Sequence, residues 1–309
     1  MNSRNQREFD QYRGSIMKEN KENLFQAIIT IGAILSSLLV LLVFFYILKE
    51  SIPFLKEVSW KNFLLGKSWS PLSEPFSYSF LPMILATIYV SFLSIIIVMP
   101  FGTGCAFFLS FCVNKKYSKV ILSFIDMLAG VPSVIFGFVG LVLLVKFMEK
   151  NFNMVTGESV LSGGILLSVM LLPYVVTSCT ETLEKGKDKY YCVSQSLGVS
   201  KWYMMRKIML PYAANSIFVN ILLALSRAIG ETMAVMMVMG NSPVFPHIMG
   251  RAETIPSLIA LEMGTAEFKS IHYSSLYAAG LILIIIISII QLTASKIGKR
   301  REQSDECEN

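Results

Sequence analysis

The feature that most constrains this chain is a series of long apolar blocks. Six of them, at roughly 24–48, 81–112, 120–147, 161–179, 212–239 and 274–295, are long enough for a helix to cross about 30 Å of hydrocarbon. Apolar residues make up 54% of the 309 positions and charged residues only 16%, against about 25% charged in a soluble domain. Those values exclude disorder and an ordinary water-soluble enzyme. A helix satisfies its own backbone in lipid, so the blocks predict an all-α integral membrane protein with about six transmembrane helices. One membrane domain, 24–295, is expected between charged tails at 1–23 and 296–309. The first block is too long for the apolar core of a signal peptide and has no small-residue cleavage site, so it is expected to remain as a helix.

The net charge is +6. In a membrane protein such an excess reflects basic residues gathered on cytoplasmic loops, and no nucleic-acid partner is expected. With the N-terminus inside, 18 basic residues fall on cytoplasmic segments and 8 on the opposite side, which predicts both termini in the cytoplasm. Lys296, Lys299, Arg300 and Arg301 then anchor that topology. The five cysteines are odd in number and mostly sit in or beside apolar blocks, which argues against a disulfide framework. No CxxC pair or His-rich tract suggests a metal, no cofactor is implied, and no nucleophile–base arrangement marks an enzyme. Gly66-Lys67-Ser68 has the ending of a phosphate-binding loop, but Lys61 stands where its leading glycine belongs, so no ATPase site is expected.

Several blocks carry breakers. Pro100-Phe101-Gly102-Thr103-Gly104 and Gly130-Val131-Pro132-Ser133, followed by Gly137 and Gly140, fall within spans. Two readings stand: close helix packing at glycine, or broken helices lining a pathway. The fifth block contains Ser226-Arg227-Ala228-Ile229-Gly230-Glu231-Thr232. Arg227 and Glu231 are spaced i, i+4, which places them on one face of a helix. Each charge costs about 2.5–3.5 kcal/mol near a helix centre on insertion scales, a cost that spanning alone does not require. Arginine offers a permanently charged, planar donor fork suited to a tetrahedral oxyanion. A nearby glutamate balances it and keeps the anion from binding too tightly to leave. Ser226, Thr232 and Ser133 are candidate hydroxyl donors on the same substrate pathway.

The segment 180–211 is the longest cytoplasmic connection. Its pattern predicts two short helices. The first is capped by Asp188, runs over about 189–197 and ends at Gly198. The second is capped by Ser200 and runs toward Met209, with Pro211 breaking the chain before the fifth span. Tyr191, Val193 and Leu197 could seat in a groove of another protein or lie on the lipid surface.

Gly198 followed by Ile208-Met209-Leu210-Pro211 resembles the cytoplasmic "EAA" loop by which permeases of ABC importers dock on their ATPase. Arg227-Ala228-Ile229-Gly230-Glu231-Thr232-Met233-Ala234-Val235 and Leu128-Ala129-Gly130-Val131-Pro132-Ser133-Val134-Ile135-Phe136-Gly137 are similar to segments of PstC-type permease subunits of phosphate importers. The resemblance extends over about 24–295. It implies a type I-like ABC importer permease fold in a bacterial inner membrane. It also implies half of a translocation pore for phosphate and four kinds of partner: a PstA-type second permease, a PstB-type ATPase dimer, a PstS-type phosphate-binding protein and membrane lipid. Carried over by spacing, the docking loop comprises Cys192, Val193, Ser194, Gly198, Ile208, Leu210 and Pro211. Cys192 stands where the family has glutamate, a departure from the motif. A permease for sulfate or molybdate, or an ATPase-independent anion channel or sensor, is the competing expectation.

The remaining features are weaker. Trp60 and Trp69, with Pro53, Pro71 and Pro75, fall in the first outer loop, as binding-protein contacts or interfacial anchors. His247, Arg251, Glu253 and His272 fall in or at the end of the last outer connection, as a gate or simply as polar loop residues. Asp126 reads as a cap or interface residue. The isoleucine-rich final block reads as lipid-facing scaffold.

Overall fold

A computed structural model describes the backbone of residues 3–58, 63, 66, 68–71, 74, 76–152 and 154–307, with side chains described within 25–299. Trp60, Lys61, Lys67 and Pro75 lie outside the described residues. The chain divides into two units, Met1–Glu50 and Ser51–Asn309.

The first unit belongs to helix α1, Ser3–Glu57. Its apolar stretch has a mean hydropathy of 2.8, and side chains such as Ile28, Leu35 and Leu42 are exposed. That is the pattern of a helix made for lipid or for another subunit rather than for its own core.

The second unit opens with a short hairpin, β1 (Trp69–Ser70) against antiparallel β2 (Ser77–Tyr78). The helices that follow are α2 (Leu81–Phe111), α3 (Lys115–Ala129), α4 (Ser133–Val139), α5 (Lys146–Phe152), α6 (Val160–Ser196), α7 (Lys201–Tyr203), α8 (Leu210–Ile229), α9 (Met233–Met239), α10 (Ile255–Glu262) and α11 (Ile271–Cys307). Two wide π turns, Gly140–Val145 and Met204–Met209, join α4 to α5 and α7 to α8. The main core lies where α2, α6 and α8 meet, around Val90, Leu171, Val175, Leu183 and Ala224.

The expected breakers behave differently from one another. Pro100 does not interrupt α2, which runs unbroken past the whole Pro100–Gly104 motif. There the glycine serves packing: a Cβ on Gly102 would lie 2.6 Å from Val175 Cγ1, so α2 and α6 touch only because the side chain is missing. Gly130-Val131-Pro132 does end a helix. The third block is therefore not one straight span over 120–147: α3 and the helix from Ser133 to Phe152 meet at 88°. Pro132 supplies no amide N–H and disfavours helix at the residue before it.

The segment 180–211 also departs from expectation. α6 is continuous to Ser196, so Asp188 caps nothing and no separate helix begins there. Gly186, inside this helix, is fixed by packing. A Cβ there would lie 2.5 Å from Met209 Cε and 2.6 Å from Tyr212 Cε1. The helix ends as expected at Gly198, whose φ of +66° favours glycine. Ser200 caps the next helix, accepting the Tyr203 N–H at 3.3 Å. Pro211 does not break the chain before the fifth span: helix continues from Lys201 to Ile229. The π turn just before Pro211 widens the helix where the proline ring would otherwise meet a carbonyl one turn back.

The final helix is more than lipid-facing scaffold. Leu276, Ala278 and Ala279 are buried in it, and Leu283, Ile286 and Ile287 pack against the core. The backbone is helical from Ser3 and up to Cys307, so most of both expected tails extends the neighbouring helices.

Candidate functional site

Two broken helices start side by side. A Cβ on Gly137 would lie 2.8 Å from Met237 Sδ and 3.0 Å from Ala234 Cα, and one on Gly140 would lie 3.1 Å from Val238 Cγ1. Gly137 in α4 and Gly140 at the start of the π turn thus meet successive positions of α9, so the two segments run in the same direction. Each is preceded by a break, Gly130–Pro132 before α4 and Gly230–Thr232 before α9. Ser133, one turn before Gly137, falls at the level of the second break. Irregular backbone at membrane depth needs protein or a water-filled passage beside it, and the positive ends of half-helices favour an anion there.

Arg227 stands in the last turn of α8, just before that break. Beyond it come the break and the whole of α9, Met233–Met239. The i, i+4 spacing does not place Glu231 on the same helix face, because α8 ends at Ile229 and Glu231 lies beyond it. Gly230 occupies the C-cap, where helix costs glycine more backbone entropy than any other residue. Glu231 Oε1 instead accepts the Ala234 N–H at 3.3 Å and caps α9. The ion pairs among the described residues are Arg251–Glu158 and His272–Glu262, and Arg227 is in neither. Its guanidinium is exposed at the surface of this chain.

The hydroxyls are less available than their spacing suggested. Ser226 Oγ donates to the Leu222 carbonyl at 3.0 Å, and Thr232 Oγ1 donates to the Gly230 carbonyl at 3.3 Å. Both keep acceptor lone pairs but direct their protons to backbone. Ser133 is half-buried. Arg227 therefore supplies most of the donors that an anion would find at this break.

At the other end of α8, the loop residues divide by exposure. Cys192, Val193, Gly198, Leu210 and Pro211 are exposed, Ile208 is half-buried and Ser194 is buried. Val193 and Leu197, one turn apart near the end of α6, are 58% and 74% exposed, and Trp202 on the next helix is 69% exposed. Val193 and Leu197 form an apolar strip left open by the other described residues. Asp126 serves as an interface residue: its Oδ1 accepts a hydrogen bond from Thr177 Oγ1 at 2.7 Å, tying α3 to α6.

A second polar cluster was not legible in the sequence. Trp69 Nε1 donates to Glu262 Oε1 at 2.9 Å, and His272 Nε2 lies 2.7 Å from Glu262 Oε2. These contacts staple the β1 hairpin and the start of α11 onto the end of α10. Nearby, Glu253 is 4% exposed, and burial, reinforced by the Glu262 charge, pushes its carboxyl up to about 7. A raised carboxyl pKa means that the folded state holds the proton more tightly, so stability falls as pH rises from about 4.5 toward 7 and levels off above. The penalty at high pH has an upper bound of about 3 kcal/mol. Glu253→Gln is expected to raise the melting temperature by several degrees at pH 8 and leave it unchanged at pH 4. Thermal unfolding of the detergent-solubilised protein at the two pH values checks this, and an equal shift at both would count against it.

Arg251 and Glu158 form an ion pair at 2.8 Å, with Arg251 Nε donating to Thr156 Oγ1 at 3.1 Å beside a cavity of about 440 Å³.

Residues 98–302 match the family described as binding-protein-dependent transport system inner membrane component. The chain belongs to this family. Among relatives, it is 32% identical to the probable ABC transporter permease protein YqgH of Bacillus subtilis, over 78% of each chain. It is 30% identical to the phosphate transport system permease protein PstC of Mesorhizobium japonicum, over 74% of this chain and 75% of that one. A probable PstC of the archaeon Methanocaldococcus jannaschii is also 30% identical, over 72% and 77%. The fold matches a permease chain of a bacterial alginate ABC transporter with a TM-score of 0.59 at 16% identity, covering 90% of this chain and 98% of that one. It matches the MetNI methionine ABC transporter with a TM-score of 0.57 at 16% identity, covering 74% and 99%. The chain is thus a multi-pass membrane permease subunit with the ABC importer permease fold, and not itself an enzyme.

Proposed function

We propose that this permease is the PstC-type subunit of an ATP-driven phosphate importer, and that the break at Gly230–Thr232 carries phosphate past Arg227. The observation that supports this most strongly is the resemblance to PstC proteins across about three quarters of the chain, together with a family match over 98–302 that spans both helix breaks. The physics agrees with it. An exposed arginine beside a helix break within a membrane span is costly against lipid and inexpensive against a watery pore shared with a second subunit. Its planar fork suits two oxygens of phosphate, and Ser226, Thr232 and Ser133 border the same passage. Glu231, capping α9 beside it, keeps the local charge low enough for release.

In this reading a PstA-type permease completes the pore, a PstS-type protein delivers phosphate from outside and two PstB-type ATPases work from within. The 180–211 segment faces the cytoplasm, as do both termini, and docks on an ATPase through the apolar face at Val193 and Leu197. Gly198, Ile208, Leu210 and Pro211 shape that segment. Cys192 brings no carboxylate to the contact, so apolar burial carries more of it, and buried Ser194 contributes packing rather than contact.

Reconstitution of the complete importer in vesicles tests the reading. Uptake of radiolabelled phosphate should need ATP and the binding protein, and excess sulfate or molybdate should leave it unchanged. Competition by either anion, or phosphate flux through this chain alone, would overturn the assignment.

A further inference from the structure

At the loop end of the bundle, α3 begins beside the lower part of α6 and encloses a cavity of about 130 Å³. It is lined by Leu109, Val113, Lys115, Ser118, Glu184, Lys187 and Asp188. Lys187 is fixed in place: its Nζ donates to the Ser110 carbonyl at 2.6 Å and lies 5.4 Å and 5.7 Å from the centres of the Phe111 and Tyr191 rings. Lys115 is the first residue of α3, a helix of 15 residues. Its N-cap, Asn114, takes the Lys116 N–H at 3.4 Å with its side chain and the Ser118 N–H at 2.9 Å with its carbonyl, which leaves other first-turn amides open.

A second observation concerns Ser118. Its side chain is 2% exposed, it lines the cavity, and its Oγ has no hydrogen-bond partner among the described residues. A buried hydroxyl without a partner costs about 1–3 kcal/mol, and here it adjoins a space large enough for several waters or one tetrahedral oxyanion. Two ammonium groups, a helix N-terminus and an open hydroxyl form a donor set for an oxyanion. Glu184 and Asp188 offset the lysines, so binding is weak, on the order of millimolar.

We propose that this cavity is a phosphate-group site at the coupling end of the permease, separate from the Arg227 passage. Its occupant is a phosphate group, either free inorganic phosphate or the headgroup of an anionic phospholipid. The site touches Lys187 and Asp188, four or five residues before Cys192, so occupancy braces the helix that leads into the docking segment. For free phosphate, the proposal rests on the reading that the coupling end faces the cytoplasm of a phosphate importer. The site would then respond to the pool that the importer fills.

The test begins with the purified permease in detergent. Inorganic phosphate at about ten times half-saturation should raise the melting temperature by about 3 °C, while sodium chloride at equal ionic strength should not. Ser118→Ala and Lys115→Ala should each abolish the shift while folding normally. A parallel arm replaces phosphate with mixed micelles containing phosphatidic acid or phosphatidylcholine. A shift specific to phosphatidic acid and lost in both variants assigns the site to lipid, and one seen with inorganic phosphate assigns it to the free anion. If neither probe gives a shift that the two substitutions remove, the site does not exist. That result is read without any transport assay, so it leaves the phosphate-import reading untouched. In the assembled importer, phosphate on the ATPase side should slow ATP hydrolysis with a half-maximal concentration that rises several-fold in both variants. Identical inhibition in wild type and variants would place that inhibition on the ATPase and overturn the regulatory role.

Discussion

Arg227→Ala is expected to lower ATP-driven phosphate uptake about 100-fold at unchanged membrane abundance. A charge-assisted hydrogen bond is worth about 1.5–3 kcal/mol, and each 1.4 kcal/mol is a factor of ten, so losing one bidentate fork accounts for that loss. Arg227→Lys keeps the charge and loses the planar fork, so it should retain an intermediate rate. The check is the initial rate of labelled phosphate uptake in vesicles, normalised to the amount of assembled importer. Wild-type uptake in the alanine variant would remove Arg227 from the pathway. The exposure of the guanidinium, and its lack of an ion pair among the described residues, are what make the effect large.

Gly137→Leu is expected to be nearly as severe for transport. The first added carbon alone would sit 3.0 Å from Ala234 Cα, and backbone has less room to yield than a side-chain end. Overpacking of this kind costs about 1–3 kcal/mol and drives α4 away from α9. Gly102→Leu is the matched control, because there the obstructing atom is Val175 Cγ1 at 2.6 Å, in the α2–α6 contact away from both breaks. Both variants should melt several degrees lower. Only Gly137→Leu should also lose uptake per folded molecule, because it distorts the packed starts of the two broken helices, one of which follows Arg227. Equal transport per folded molecule in the two variants would reduce the α4–α9 contact to ordinary packing.

Much of this was readable in the residues themselves. The spans followed from apolar length, and the break at Gly130–Pro132 followed from proline chemistry next to glycine. The caps at Gly198 and Ser200 followed from the conformations those residues favour. Other inferences failed because a local signal acts through its surroundings: Pro211 is carried by a π turn, and Asp188 caps nothing because α6 runs on to Ser196. Of the two readings open at Pro100–Gly104, packing holds, since α2 is supported there by α6. Conversely, Gly230 ends a helix with no proline to announce it, so Arg227 and Glu231 were placed on one face when a break divides them. The Trp69–Glu262–His272 cluster gave no local signal, because Trp69 and Glu262 are 193 residues apart.

The unbroken run from Lys201 to Ile229 has a mechanical consequence. It is a rigid rod about 40 Å long with Gly198 and Ser200 at its foot and Arg227 at the other end. Pivoting such a rod by about 10° at its base sweeps the tip through about 7 Å, roughly the diameter of a hydrated ion's inner shell. Leverage of that kind carries a push at the Lys201 end to the arginine without a relay of small adjustments.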